Sequence, residues 1–233
     1  MPGPFDYAIW IVGSALELAV VFCSLSRGSF LRYISLNVYM LANVAVNCTT
    51  YLSLARYGFK SREYHFAYYY TDSLLTILMF FVIIQLYQQV LAQMNASAYI
   101  RRVATALLLG TALFSYLIVY RHRDNLSGQF VVAFGQNLYF VGVVLTYILW
   151  GAIFKLGETR RRLVNFVLAL GIYFSGIAGA YALRNLFPTL EPLILRWIPP
   201  LAATWLPLAW AYTFLRVPEE VRFTMAQLQP KAF

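Results

Sequence analysis

The stretch YYYTDSLLTILMFFVIIQLY, residues 68–87, decides the fold class. Beyond Asp72 it holds no charged residue, and its apolar side chains run on without the polar-apolar alternation of a strand. About 20 such residues wound as an α-helix measure roughly 30 Å, the thickness of a bilayer's hydrocarbon core. A chain crossing lipid must satisfy its own backbone hydrogen bonds, and a continuous apolar run does this as a helix. The alternating segments of about ten residues that build a membrane barrel are not present.

Outward from that stretch, the chain divides into apolar runs at about residues 7–25, 34–54, 67–91, 103–120, 131–154, 164–186 and 194–215, each of spanning length. Hydrophobic residues make up 61% of the 233 and charged residues 12%, against roughly 45–50% and about 25% in soluble domains. Connections such as ARYGFKSREYHF and RHRDNLSGQF are too short to hold a soluble domain. The expectation is an all-α integral membrane protein, a single seven-transmembrane-helix bundle over residues 1–233. The opening MPGPFDY has no Lys or Arg, so the first run reads as a permanent helix rather than a cleaved signal peptide.

The net charge of +9 does not point to nucleic acid, because the basic residues are scattered over short segments beside apolar runs. Eleven of the 18 Lys and Arg fall on one side of the expected bundle, many of them in KLGETRRR at 155–162, and seven on the other. The positive-inside bias then places the N-terminus outside and the C-terminus in the cytoplasm, in a plasma or bacterial inner membrane. Cys23 and Cys48 fall about 11 residues apart in depth, roughly 16 Å, which is beyond disulfide reach.

Only Glu17 and Asp72, of nine acids, lie inside the runs. A carboxylate at that depth costs a few kcal/mol and turns toward the bundle interior or a watery cavity. In the expected topology Glu17 sits near the midplane and Asp72 nearer the outer surface. Asn43 matches Glu17 in depth, and Asn47 and Tyr51 match Asp72. Asn43, Asn47, Thr50 and Tyr51 form one stripe at helical spacing. On the third helix Tyr68, Tyr69, Asp72 and Thr76 share a face, and Tyr68 or Tyr69 is expected to donate to Asp72. Gln136 and Asn137 on the fifth helix reach the level of Asp72, and the sixth brings Ser175 and Tyr181. Turned inward, these stripes give a polar pocket in the outer half. Pro199, Pro200 and Pro207 all fall in the last run and mark it as a candidate hinge. Gly171, Ser175 and Gly179 have the small-xxx-small spacing of close helix packing.

YYYTDSLLTILMFF resembles in outline the third helix of microbial rhodopsins, where an aromatic residue and an aspartate precede a threonine and an apolar run. That resemblance implies a retinal held on a lysine of the seventh helix. The lysines here are Lys60, Lys155 and Lys231, none in the seventh run, so covalently bound retinal has no attachment point. WLP at 205–207 is similar to a motif of G-protein-coupled receptors but stands at a different place on the seventh helix. Neither family is assigned on these residues.

His65 and His122 fall in expected outer loops, which disfavours a bis-histidine haem, and no HExxH, GxSxG or CxxC motif occurs. The cofactor, if there is one, stays unidentified. Two acids on different helices at different depths argue against an enzyme. The leading expectation is a receptor-like protein whose outer pocket takes a small molecule or cation on Asp72. The alternatives are an accessory subunit that packs on a membrane partner or on its own copies, and a proton- or cation-coupled transporter using Glu17 and Asp72. The lipid bilayer is the one surrounding common to all three.

Overall fold

A computed structural model describes residues 4–58, 61–92, 97–120, 126–156, 160–187 and 191–218. These form α1 (Pro4–Ser26), α2 (Ile34–Tyr57), α3 (Arg62–Val90), α4 (Ser97–Tyr120), α5 (Leu126–Lys155), α6 (Arg161–Leu186) and α7 (Glu191–Arg216), with no strand among the described residues. By length and composition α1 to α6, six helices, can each cross a membrane. α7 is equally long at 26 residues and is broken in composition by its three prolines.

Helix bounds differ from the apolar runs because hydrogen bonding does not stop where lipid does. α3 starts at Arg62, ahead of its apolar run, because Ser61 caps it by accepting the Tyr64 N–H at 3.1 Å. His65, expected in a loop, is therefore helical, and its ring stacks on Tyr69 at 6.3 Å between centroids. His122 lies outside the described residues. α1 ends in a Schellman motif: the Ser29 N–H reaches the Ser24 carbonyl at 2.9 Å and the Gly28 N–H reaches Leu25 at 3.0 Å. Gly28 closes this turn at φ 63°, a conformation that glycine adopts without a Cβ penalty.

The helices do not pack simply in chain order. Contacts run α1 to α2, α2 to α3, α3 to α5, α5 to α6, α6 to α7 and α7 back to α1, which closes a ring of six. α4 stands outside it, packed on α5 and less extensively on α3. Skipping α4 makes α3 and α5 parallel neighbours. Two hydrogen bonds show their common register: Ser73 Oγ donates to the Val131 carbonyl at 3.0 Å, and Tyr87 donates to the Leu145 carbonyl at 2.5 Å, each spanning 58 positions. α5 and α6 approach closely at Gly142, where a Cβ would lie 2.6 Å from Cδ1 of Phe174 and 2.9 Å from its Cζ. Of the expected small-residue stripe, Gly171 meets Thr146 and Trp150 of α5, while Gly179 has nothing within 4 Å.

The half of the ring where α1, α3, α5 and α7 finish is solid. Tyr33, Phe166 and Phe214 pack at 4.9–5.7 Å between ring centroids, and Trp210 is fully buried against Phe166 at 6.2 Å. Arg162 fastens this end. Only 4% exposed, it donates to the Val217 carbonyl through Nε at 3.1 Å and Nη2 at 2.7 Å, and to Ser29 Oγ at 3.3 Å. The last turn of α7 is thereby tied to α6 and to the segment between α1 and α2.

Candidate functional site

At the opposite end, where α1, α3, α5 and α7 begin, the ring is hollow. The cavity has a volume of about 470 Å³, within the roughly 300–1,000 Å³ of small-molecule sites. All six ring helices line it and α4 does not.

Glu17 closes its α1–α2 side and is only 3% exposed. Asn43 Nδ2 donates to Glu17 Oε1. Asn47 Nδ2 donates to Ser14 Oγ at 3.1 Å and to Glu17 Oε2 at 3.4 Å. The equal depth read for Glu17 and Asn43 is thus a direct hydrogen bond. Asn47, one turn along, serves the same carboxylate rather than Asp72. Both oxygens of Glu17 are occupied, and the pair of amides joins α2 to α1.

Asp72 is placed differently. Tyr68 and Tyr69 line the wall beside it, yet neither donates to its carboxylate, and Thr76 Oγ1 donates at 2.8 Å to the Asp72 main-chain carbonyl instead. Ser73, next in sequence, is spent on the α3–α5 seam. On α5 the facing residue is Gly135, whose missing side chain leaves room: a Cβ there would lie 3.9 Å from Asp72 Oδ2. Among the described residues the Asp72 carboxylate accepts no hydrogen bond and makes no ion pair, and it faces the cavity.

Gln136, Tyr181, Pro199 and Pro200 also line the cavity. No protein-family model, curated protein or solved structure matches this chain. The site is therefore read from its own chemistry.

Five of the residues singled out in the sequence lie elsewhere. Successive residues on a helix point about 100° apart, and that rotation separates Gln136 from Asn137, which faces α4 and donates to Ser115 Oγ at 2.9 Å. The same step puts Thr50 in the wall and leaves Tyr51 outside, 49% exposed with its ring against Tyr7 at 6.2 Å. Thr76 is buried below the cavity floor. Pro207 lies further along α7, buried in the solid half. Ser175 points away from the cavity, toward Tyr147 of α5.

Sequence reading passed over Tyr39, Tyr139 and Tyr173, three buried tyrosines that line the cavity and whose hydroxyls approach one another across α2, α5 and α6. Spacing could have found them. Tyr39 precedes Asn43 and Asn47 at four-residue intervals, Tyr139 follows Gln136 by three, and Tyr173, Ile177, Tyr181 and Arg184 make one face of α6.

Proposed function

We propose that the protein is a seven-helix, receptor-like membrane protein of a plasma or bacterial inner membrane, with its N-terminus outside and its C-terminus in the cytoplasm. Its outward-facing cavity binds a small molecule or cation, with Asp72 as the charged anchor. The observation carrying this reading is the contrast between two carboxylates in one cavity. Glu17 has both oxygens satisfied by asparagines, whereas Asp72 has no partner among the described residues. Desolvating a carboxylate without a partner is costly, and a ligand group supplies what the protein withholds. α7 lends the cavity Pro199 and Pro200, each lacking the N–H that would continue the helical ladder. In this reading the proline pair is where occupancy reaches the Arg162 latch and the cytoplasmic end.

A thermal-shift screen of small molecules in detergent tests the proposal, comparing wild type with Asp72→Asn. Compounds that stabilise wild type and spare the variant support it. A screen in which every stabilising compound acts equally on both removes Asp72 from the site.

Cation-coupled transport is a second reading, favoured by one observation: Glu17 and Asp72 line the same cavity. Trp210 and Phe166 are packed together and fully buried in the solid half, below the cavity. Transport would therefore require that half to open. Flux into reconstituted vesicles, abolished when both acids are neutralised, would replace the receptor reading with this one.

A further inference from the structure

We infer that the ligand is an organic ammonium ion, held by charge on Asp72 and by the surrounding aromatic rings; this rests on the proposed binding function and narrows its ligand class. Tyr68, Tyr139, Tyr173 and Tyr181 lie within electrostatic reach of the Asp72 carboxylate, and all four line the cavity. Tyr139 is central to the wall, with its ring 5.9 Å from that of Tyr181 and 6.4 Å from that of Tyr173. A single unpartnered anion among tyrosine rings is the environment in which an alkylated ammonium is favoured. The anion supplies the countercharge, and the electron-rich ring faces attract the cation once it has left water.

An inorganic cation fits this wall less well. Ca²⁺ takes about six to eight oxygen ligands and Mg²⁺ near-octahedral oxygens, and the carboxylates available are Asp72 and a Glu17 whose oxygens already accept from Asn43 and Asn47. No group of three or more metal-binding acids, histidines or cysteines occurs among the described residues. The roughly 470 Å³ of space also exceeds what a bare ion fills and suits a molecule of several heavy atoms. Arg184 lines the cavity as well, one turn beyond Tyr181 toward the end of α6, and it has an interaction of its own. Its position sets the ammonium at the Asp72 end and leaves the Arg184 end to an uncharged or anionic part of the ligand.

The full chain, purified in detergent, tests this by calorimetry with tetramethylammonium, choline, choline's neutral carbon isostere 3,3-dimethylbutan-1-ol, and sodium. The expected result is that choline binds and that its isostere binds at least about tenfold more weakly, since shape is kept and only the charge is lost. Asp72→Asn should lose choline binding. Tyr181→Phe, which keeps the ring, should bind choline within about threefold of wild type, and Tyr181→Leu about tenfold more weakly. Melting curves of each variant establish that the fold is retained. Equal binding of choline and its isostere overturns the ammonium assignment, as does a response to sodium with none to choline. If neither ammonium binds while the small-molecule screen yields ligands that depend on Asp72, the ligand class is wrong and the binding function stands. If that screen yields no such ligand either, both fall.

Discussion

Two glycines on α5 permit a test in which the same substitution gives opposite results. At Gly142 an added Cβ would lie 2.6 and 2.9 Å from Cδ1 and Cζ of Phe174, where carbon atoms prefer roughly 3.5–4.0 Å. The Phe174 ring is 1% exposed and is held between Tyr139 at 6.2 Å and Tyr173 at 5.6 Å, so it has nowhere to rotate. α5 and α6 must therefore separate by about 1 Å, and overpacking of this kind costs about 1–3 kcal/mol. Alanine returns about 1 kcal/mol of helix propensity, which leaves Gly142→Ala destabilised by about 0–2 kcal/mol and about 1–3 kcal/mol below Gly135→Ala. At Gly135 the nearest atoms to a Cβ are Ser73 Oγ at 3.5 Å and Asp72 Oδ2 at 3.9 Å, ordinary contacts. Gly135→Ala keeps the propensity gain and should be neutral or slightly stabilised. Thermal unfolding of both variants in one detergent measures the difference. Phe174→Leu in the Gly142→Ala background should recover part of the loss, as neighbouring sites couple. A Gly142→Ala protein as stable as Gly135→Ala would refute the close approach of α5 and α6.

Asn43→Val leaves a buried carboxylate oxygen without its donor and should cost about 1–3 kcal/mol. Glu17→Gln, which still accepts one amide hydrogen bond, should cost less, and a reversed order in thermal melts would contradict the Glu17 geometry. Asn137→Ala removes the hydrogen bond between α4 and α5, worth about 0.6 kcal/mol in a membrane setting. It should leave ligand response unchanged, so altered binding would place Asn137 in the cavity after all. Arg162→Met should release the end of α7, with amide exchange at Val217 rising on the order of tenfold for the loss of its hydrogen bonds. Unchanged exchange there would show that Arg162 does not hold that end.

The level of Glu17 against Asn43 was legible in the sequence, whereas Asn47, matched in depth to Asp72, bonds Glu17 instead, and rotation about each helix was not legible. Glu17 met Asn43 because antiparallel neighbours joined by a short turn match residues by distance from that turn. Gln136 and Asn137 have nearly the same chemistry and adjacent positions, so no reading of residue types could say which faced the cavity and which held α4. The exclusion of α4 from the ring was equally hidden. Its run is as apolar as the others, and only the α3–α5 seam through Ser73 and Tyr87 fixes who neighbours whom. The cavity tyrosines escaped notice for a third reason. Aromatic side chains serve lipid interfaces, cores and cation sites alike, and burial among other helices decides which.

The closure of the ring between α1 and α7 has a consequence for how the protein is made. Helices enter the bilayer in the order of synthesis, so α1 resides in lipid with its eventual neighbour α7 still unmade. During that interval Glu17 would be exposed on one flank. The first partner to arrive is α2, and it carries Asn43 and Asn47, the two side chains that engage both Glu17 oxygens. This hairpin shelters its acid before any later segment is available. Asp72 has no such early guardian, and it waits for Gly135 and the α3–α5 seam. A chain stalled before α7 would hold an unsealed half-ring, with its cavity open to acyl chains and its tyrosines unpaired.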